Sequence, residues 1–315
     1  MSNNQSTGSS QELHRSETAR AEFKRFKPRR KLGQNFLVDR RQLQRLVDLA
    51  EVDQRDIVLE VGAGTGNLTE ILQRSAGKVI AVEKDQMLVE HLNKKFEGKS
   101  NLQIIGGDVL RIDLPPFDKV VSSPPYNISS ALIFTLMQRK FKVASMILQK
   151  EFAQRLVAEV GTREYGRLTI MLQHRATAEL LDFVPRTSFR PIPKIDSFMV
   201  RIVPRDIIRG KEDLFENLVR ILFSQRRRLA ESVLRRWLED EGVSGAREIA
   251  GSSGIHSKRV FELTTEEIER ISESLRNHEK AAFAILDHYR KVSRRVIDTG
   301  TPKPQKISDC PATRL

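Results

Sequence analysis

The segment from Asp56 to Leu72 constrains the fold of this chain more than any other stretch. Its first part, Ile57 to Val61, is short and β-rich, and it ends in the glycine-rich turn Gly62-Ala63-Gly64-Thr65-Gly66. Apolar residues at helical spacing follow the turn. A strand, a glycine turn and a helix in this order form the first unit of a doubly wound parallel sheet. The segment therefore predicts an α/β fold.

A second apolar run, Val79 to Val82, ends at the acidic residue Glu83, 21 positions after Gly62. At about that distance, an acid in such folds meets the ribose hydroxyls of a bound nucleoside. The glycine spacing is G-x-G-x-G, and Asn67 stands where a dinucleotide fingerprint carries its third glycine. This difference indicates a nucleoside without a pyrophosphate, and it favours S-adenosylmethionine over NAD.

Two further predicted strands end in residues that can bind a ligand. Leu102 to Ile105 precedes Asp108, and Lys119 to Ser122 precedes the turn Ser123-Pro124-Pro125-Tyr126. The carboxyl ends of parallel strands meet at one edge of a sheet. We therefore expect Asp108 and this turn to share a crevice with the glycine turn and Glu83. Taken alone, Asp108 is better explained as a turn aspartate.

The Ser123-Pro124-Pro125-Tyr126 turn has an unusual balance of hydrogen-bonding groups. Its two prolines carry no N–H, so the turn offers carbonyl oxygens and few donors. Acceptors beside an aromatic ring suit a flat ligand that donates from an amino group, such as a nucleobase with an exocyclic amine. The simpler interpretation is a proline-rich loop after a strand, with Tyr126 partly buried.

The rest of the pattern predicts more of the sheet and then a helical region. A helix is expected from Arg40 to Ala50, with Asp39 as its N-cap. Four more strands are expected, giving a sheet of roughly seven: Ala144–Leu148, Leu168–Gln173, Ala178–Val184 and Ser197–Val203. From Leu214 the pattern is helical, with one apolar stripe of Leu218, Leu222, Leu229, Val233 and Trp237. Thr264 to Glu267 resembles a capping box that opens the last core helix.

The composition points to a polyanionic partner. The formal net charge is +13 and the isoelectric point is near 10.0, so nucleic acid is the first candidate and an anionic membrane surface the second. The basic segment Lys24 to Lys31 is either a phosphate-contacting arm or a solvated tail. Five arginines, Arg226 to Arg228 with Arg235 and Arg236, form either a solvated face or a wall against a phosphate backbone.

Cysteine content and hydropathy narrow the class of protein. The single cysteine, Cys310, excludes an internal disulfide framework and a cysteine-based metal cluster, and it fits a reducing compartment. No apolar run approaches the roughly 20 residues that a membrane span needs. These features predict a cytoplasmic protein.

Nine blocks in the sequence together resemble the ribosomal RNA adenine dimethyltransferase family, and they occur in that family's order from about Arg30 to about Leu275. The C-terminal half is similar to archaeal members. The blocks around QNFL, PYNIS and FSQRR are more specific than a general methyltransferase motif. The nine blocks are KLGQNFLVD, VLEVGAGTGNLT, VIAVEKD, GGDVLRID, SSPPYNISS, EYGRLTIMLQ, FRPIPKIDSFMVR, LFSQRRRLAESVL and RVFELTTEEI.

The resemblance implies an α/β fold, a Rossmann-like S-adenosylmethionine-dependent methyltransferase sheet with a small all-helical C-terminal domain. The expected domains are the methyltransferase domain at 29–205 and a helical RNA-binding domain at 206–275. Residues 1–28 are expected to be a disordered basic tail, and 276–315 a polar, partly disordered extension with a helix over Ala281–Tyr289.

The resemblance also implies a reaction and a partner. The reaction is dimethylation of the exocyclic amines of two adjacent adenines near the 3′ end of small-subunit ribosomal RNA, coupled to ribosome assembly. S-adenosyl-L-methionine is the cofactor and no metal is needed. The partner is small-subunit ribosomal RNA or the small ribosomal subunit precursor, with no membrane, and the protein is expected to be a monomer.

Site residues carried over from the family fall into two groups that share Ser123. The catalytic turn is Ser123, Pro124, Pro125 and Tyr126. The cofactor-binding residues are Gln34, Asn35, Leu37, Gly62, Gly64, Glu83, Asp108 and Ser123. This chain departs from the family at Ser123, where asparagine is usual. Serine is shorter, but its oxygen can still accept a hydrogen bond from an amine.

Two alternatives remain open from the sequence. The first is a methyltransferase of the same architecture that acts on large-subunit ribosomal RNA, because the core motifs barely separate the two. The second is a nucleic-acid-binding assembly or transcription factor that has lost catalysis. Ser123 favours this second alternative, whereas the presence of Glu83, Asp108 and the Pro-Pro-Tyr turn counts against it.

Overall fold

The computed structural model of the chain describes residues 33–205 and 212–298. The described residues divide into two compact units. The sheet unit comprises residues 33–150 and 181–201, and the helical unit comprises residues 151–180, 202–205 and 212–298. The predicted disordered tail at 1–28, the basic segment Lys24 to Lys31 and Cys310 lie outside the described residues.

The described residues contain nine strands and eleven α-helices. The strands are β1 (Phe36–Leu37), β2 (Ile57–Val61), β3 (Lys78–Glu83), β4 (Leu102–Gly106), β5 (Lys119–Ser122), β6 (Val143–Gln149), β7 (Ala176–Val184), β8 (Phe189–Arg190) and β9 (Ser197–Pro204). The helices are α1 (Arg40–Asp48), α2 (Asn67–Ser75), α3 (Gln86–Lys95), α4 (Ser129–Leu136), α5 (Lys150–Leu156), α6 (Arg167–Arg175), α7 (Glu212–Phe223), α8 (Ala230–Asp240), α9 (Ala246–Ser252), α10 (Thr265–Arg276) and α11 (Glu279–Asp298).

Seven strands of the described residues form one sheet in the order β4-β3-β2-β5-β6-β9-β7. The pairs β2–β3, β3–β4, β2–β5 and β5–β6 are parallel. Strand order runs outward from β2 through β3 to β4, and then resumes with β5 on the other side of β2. That reversal opens a crevice beyond the carboxyl ends of β2 and β5, which is where open α/β sheets bind ligands. The predicted α/β class is confirmed.

The central strands form because their residues suit burial on both faces. Val79 to Val82 in β3 are all at most 1% exposed, and Val58 and Leu59 in β2 are fully buried. Continuous apolar runs of this kind are typical of parallel strands that are covered on both faces. The glycine turn after β2 and the acid that ends β3 are consequently held by a rigid core.

The segment before α1 is tied to a distant part of the chain. β1 pairs antiparallel with β8, so that Phe36 lies opposite Arg190 and Leu37 lies opposite Phe189. Asp39 caps α1 as predicted, since its carboxylate accepts from the backbone N–H groups of Arg41 and Gln42. The sequence did not predict the β1–β8 pair, because two-residue strands carry no periodic pattern.

The predicted strand Leu168–Gln173 is wrong, because this segment lies in helix α6. Leu168 to Leu172 are all buried, so this stretch shows no alternation of buried and exposed residues that would mark a helical period. A short run buried all round cannot be assigned to strand or helix by its periodicity. The later strands at Ala178–Val184 and Ser197–Val203 are confirmed by β7 and β9.

The single apolar stripe predicted from Leu218 to Trp237 is also wrong. The chain forms two helices, α7 and α8, and Leu229 between them is 44% exposed. Backbone bonds explain the break: the N–H of Ala230 donates to Lys258 O, and the N–H of Val260 donates to Arg228 O. These partners lie about 30 residues away along the chain, so the helical pattern could not reveal them.

The helical unit gathers segments that the sequence placed in different domains. Residues 151–180, expected within 29–205, belong to the helical unit. Tyr165 is fully buried there and donates from its hydroxyl to Leu263 O at 2.8 Å. Helix α11 is longer than the expected Ala281–Tyr289, and it buries Ala281 and Ile285 while packing against α7 and α10. In the described residues, no helix combines the length and apolarity that crossing a membrane requires.

The predicted capping box at Thr264 is confirmed and gives a direct test of the helical unit. The Thr264 hydroxyl accepts from the Glu267 N–H at 3.1 Å, and the Glu267 carboxylate accepts from the Thr264 N–H at 2.9 Å. Thr264→Ala is expected to lower the free energy of unfolding by about 1 kcal/mol, because one N-terminal donor of α10 loses its partner. Urea denaturation measures the change. Thr264→Ser keeps the hydroxyl and should stay near wild type; an equal loss in both variants would assign the effect to the methyl group.

Candidate active site

A cleft of about 770 Å³, partly open to solvent, lies at the carboxyl edge of the parallel strands. Most of the predicted site residues line it: Gln34, Asn35, Gly62, Gly64, Glu83, Asp108, Ser123 and Pro125. Leu37 lines a neighbouring cavity of about 340 Å³ instead. Pro124 and Tyr126 line neither cavity. Four strand ends therefore meet at one place, as the parallel topology requires.

The glycine turn is the tightest part of this cleft. Gly62 and Gly64 both have left-handed backbones, with φ values of +75° and +59°. A Cβ atom on Gly64 would lie 2.6 Å from the ring of Phe36, and one on Gly62 would lie 3.0 Å from Pro125. A side chain at Gly64 would therefore clash with β1, and one at Gly62 would clash with the proline turn.

Glu83 is held by the backbone around it. Its Oε2 accepts from the Gly64 N–H, and its Oε1 accepts from the N–H groups of Lys84 and Asp85, all at 2.9 Å. Burial raises the pKa of Glu83, and these three donors offset only part of that rise. Each carboxylate oxygen has two lone pairs. Oε2 consequently keeps one lone pair with which it can accept a hydrogen bond from a ligand hydroxyl.

Asp108 is paired with a residue that the sequence did not single out. Lys84 Nζ donates to Asp108 Oδ2 at 2.9 Å, and the Leu110 N–H donates to Oδ1 at 3.1 Å. Partial burial raises the pKa of Asp108, but the Lys84 ammonium and the Leu110 N–H lower it further, so the net shift is downward. Asp108 is thus an ionised acceptor at the wall of the cleft. Lys84 lines the same cleft. The sequence could have indicated this, because Lys84 directly follows Glu83.

Residues Gly33 to Phe36 line the cleft, and hydrogen bonds tie this segment to other parts of the sheet unit. Gln34 Nε2 donates to Asp85 Oδ2 at 3.1 Å, and Asn67 Nδ2 donates to Leu37 O at 2.9 Å. Asn67 is the residue that replaces the third glycine of a dinucleotide fingerprint. Its side chain therefore has a structural use, which a glycine could not supply.

The proline turn is fixed from both sides. The Ser122 hydroxyl is buried and donates to Val61 O at 2.8 Å, which joins the ends of β5 and β2. The Tyr126 hydroxyl lies 2.8 Å from Ser197 Oγ, and its ring lies edge-on to Phe189 with centroids 6.3 Å apart. Burial raises the pKa of Tyr126 to about 12, so its hydroxyl stays protonated near neutral pH. The ring is half-buried and has a fixed orientation.

Glu60 is a further acid near the cleft that sequence reasoning missed. It lies in β2, is 1% exposed, and lines the smaller cavity together with Asn35, Gly62 and Ser123. Burial raises the pKa of Glu60 to about 8, and the neighbouring Glu83 carboxylate raises it as well. The available signal was an acid inside the apolar run Ile57 to Val61, which is expected to be buried on both faces.

The raised pKa of Glu60 predicts a specific pH dependence of stability. Between about pH 4.5 and 8 the folded protein keeps a proton that the unfolded chain releases, so Glu60 lowers stability progressively as pH rises. Glu60→Gln removes this titration. As pH increases across that window, the free energy of unfolding of Glu60→Gln should rise relative to that of wild type. The rise should total a few kcal/mol, at about 1.4 kcal/mol for each pH unit.

Urea denaturation at pH 5, 6.5 and 8 measures this difference. The matched control is Glu90→Gln, which changes an exposed glutamate on α3. Its stability curve should run parallel to that of wild type. Parallel curves for Glu60→Gln and wild type would contradict the buried, protonated state of Glu60.

Sequence relatives of this chain are methyltransferases. Residues 25–276 match the family described as ribosomal RNA adenine dimethylase. A probable ribosomal RNA small subunit methyltransferase A of Pyrococcus furiosus is 42% identical over 257 residues, covering 80% of this chain and 93% of that protein. The protein of the same name from Thermococcus onnurineus is 42% identical over 250 residues, covering 78% and 91%.

Solved structures agree with the sequence relatives. A dimethyladenosine transferase from Plasmodium falciparum has a TM-score of 0.70 and 29% identity, covering 77% of this chain and 98% of that chain. The 23S rRNA methyltransferase ErmE has a TM-score of 0.58 and 28% identity, covering 76% and 99%. The resemblance seen in the sequence blocks is confirmed: the chain belongs to the ribosomal RNA adenine dimethylase family.

Proposed function

We propose that this protein transfers methyl groups from S-adenosyl-L-methionine to the exocyclic amines of two adjacent adenines near the 3′ end of small-subunit ribosomal RNA. The observation that carries the proposal is the meeting of Gly62, Glu83, Asp108 and Ser123 around one cleft, beside the proline turn. Family membership and the names of the relatives from Pyrococcus and Thermococcus support the same reaction.

The cleft matches the hydrogen-bonding chemistry of an adenosine. A ribose offers hydroxyl donors and adenine offers an amine donor, whereas Glu83 and Asp108 offer carboxylate acceptors on the cleft wall. Glu83 Oε2 would accept from a ribose hydroxyl, and Asp108 would accept from the adenine amine. Gln34, Asn35, Leu37 and the glycine turn would enclose the remainder. The cofactor, when bound, supplies an electrophilic methyl group on a sulfonium.

The proline turn would prepare the target amine. An adenine amine is a poor nucleophile because its lone pair is delocalised into the ring. Ser123 Oγ and the carbonyl of Pro124 would accept its two hydrogens, which favours a pyramidal nitrogen whose lone pair is available for attack. Positive charge that develops on the nitrogen is stabilised by these preorganised acceptors.

Tyr126 and Pro125 would position the base. A base must leave its stack to enter such a site. Tyr126 would stack on the unstacked base, worth about 1–3 kcal/mol by analogy with other base–aromatic contacts. The bond to Ser197 and the contact with Phe189 already hold the ring in place, so little order is lost on binding.

Ribosomal RNA is the proposed macromolecular partner. The chain carries a net charge of +13, and Arg227 and Arg228 in the helical unit are exposed. Arg226 has a different use, since its guanidinium donates to the carbonyls of Thr162 and Arg163. We propose that the helical domain binds RNA, and that a cytoplasmic monomer acts on the small-subunit precursor during ribosome assembly.

A second candidate substrate is large-subunit ribosomal RNA. The similarity to the 23S rRNA methyltransferase ErmE favours it. The names of the sequence relatives favour the small subunit. An assembly factor without catalysis is a third possibility, favoured by Ser123 alone.

A labelling experiment decides among these functions. Purified protein is incubated with radiolabelled S-adenosyl-L-methionine and small subunits that lack dimethyladenosine, with unmethylated large subunits in parallel. We expect label in dimethyladenosine from the small subunit, placed by primer-extension stops. Label in the large subunit would select the second candidate. If wild type and Ser123→Asn both bind RNA without incorporating label, the protein is an assembly factor. If only Ser123→Asn incorporates label, the serine at position 123 is the cause of the lost activity.

Substitution of Tyr126 tests the proposed role of the proline turn. Tyr126→Ala should reduce methyl transfer by about 10- to 100-fold, which corresponds to the loss of a stacking contact. Binding of S-adenosylhomocysteine, measured by calorimetry, should change little. Tyr126→Phe keeps the ring and loses only the bond to Ser197, so it should retain most of the activity. Loss of cofactor binding in Tyr126→Ala would instead place Tyr126 in the cofactor site.

A further inference from the structure

An apolar side chain stands in solvent at the tip of the loop that joins β8 to β9. Ile192 is 54% exposed, which makes it the most exposed large apolar residue in the part of the sheet unit that the structure describes. It lies between Pro191, which is exposed, and Pro193, which is buried. Proline rings fix the backbone angle φ, so this tip has few conformations. The loop therefore presents Ile192 to solvent in a defined place.

Hydrogen bonds close the base of this loop. The backbone N–H of Arg186 donates to Asp196 Oδ1 at 2.9 Å, and the Arg186 guanidinium donates to Lys194 O at 3.3 Å. The first residues of the loop are held as well, because β8 pairs with β1. The tip is consequently fixed to the sheet unit on both sides.

Both ends of the loop contact Tyr126, the ring proposed to hold the target base. Phe189 lies edge-on to this ring, and Ser197 Oγ lies 2.8 Å from its hydroxyl. Ile192 follows Phe189 by three residues, and three extended residues span at most about 11 Å. Stacked nucleotides are spaced by roughly 3.4 Å along a strand. Ile192 therefore lies within about three nucleotides of a base placed at Tyr126.

The charges around Ile192 match a nucleic acid. Arg190 and Lys194 stand on either side of the tip, and both are exposed. The segment 186–196 contains three cations and one acid. Arg190 Nη1 donates to the carbonyls of Thr187 and Phe189, which orients the guanidinium. A guanidinium has five N–H donors, so others remain for a phosphate. An apolar tip between two cations suits bases flanked by phosphates.

We propose that Ile192 is a wedge that enters the RNA stack beside the target adenine, while Arg190 and Lys194 bind the flanking phosphates. A base must leave its stack to reach such a site, and apolar side chains inserted between bases keep them unstacked. The identity of the RNA and of the reaction rests on the proposed function. The inference adds a positioning residue and places the target strand along the β8–β9 loop. An isoleucine makes no hydrogen bonds to bases, so it acts on stacking rather than on base identity.

Rates of methyl transfer to small subunits that lack dimethyladenosine test the wedge. Ile192→Ala should lower the single-turnover rate by about tenfold, because the target base returns to its stack more readily. Ile192→Leu keeps the apolar bulk and should retain most of the rate. The matched control is Met87→Ala, which truncates another exposed apolar residue of the sheet unit and should leave the rate unchanged. Binding of S-adenosylhomocysteine, measured by calorimetry, should be the same in all four proteins.

Chemical probing of the RNA separates a wedge from a merely structural role. Acylation of 2′-hydroxyl groups is faster at nucleotides that are free of stacking. In complexes with the wild-type protein and S-adenosylhomocysteine, the nucleotides beside the target adenines should become more reactive, and Ile192→Ala should abolish this increase. Arg190→Gln and Lys194→Gln should each reduce by about 1 the slope of log affinity against log salt concentration.

The outcomes distinguish this inference from the proposed function. Equal rates and equal acylation for wild type and Ile192→Ala would overturn the wedge, as would an equal loss of rate in Met87→Ala. Acylation that depends on Ile192, without methyl transfer by wild type, would support the wedge and contradict the proposed reaction. Failure of wild type to bind small subunits would contradict both.

Discussion

The parallel register around β2 is the constraint on which the rest of the site depends. Pairing of β2 with β3 on one side and with β5 on the other brings Gly62, Glu83 and Ser123 to one edge of the sheet. The Gly62 N–H donates to Val82 O, so the first residue of the glycine turn still belongs to the ladder. A slip of one residue would turn Glu83 away from Gly64 and remove the shared cleft.

The two buried acids show how the site conflicts with stability. Glu60 and Glu83 lie on neighbouring strands, and burial raises the pKa of each. Glu83 is compensated by three backbone donors, whereas Glu60 Oε2 has no hydrogen-bond partner among the residues that the structure describes. An apolar residue at position 60 would serve the core better. Destabilising groups of this kind are found chiefly at functional sites.

Rigidity at the proline turn comes from segments far apart in the chain. Tyr126 depends on Ser197 and Phe189, and Phe189 belongs to β8, which pairs with β1. Phe36 of β1 in turn packs against Gly64. The glycine turn and the proline turn are thus joined by one network of contacts. Sites held in this way keep reacting groups aligned, and alignment is a large part of catalysis for direct group transfer.

The sequence by itself determined the α/β class, the glycine turn, and the family, because each depends on local patterns or on blocks of fixed order. It also placed Glu83 and Asp108 at strand ends, since parallel strands end at one edge. Tertiary structure alone decided that Leu168–Gln173 is a helix, that Lys84 pairs with Asp108, and that Glu60 lines a second cavity. The reason is physical: burial on all sides erases periodicity, and pairing partners and cavities depend on contacts between residues distant in the chain.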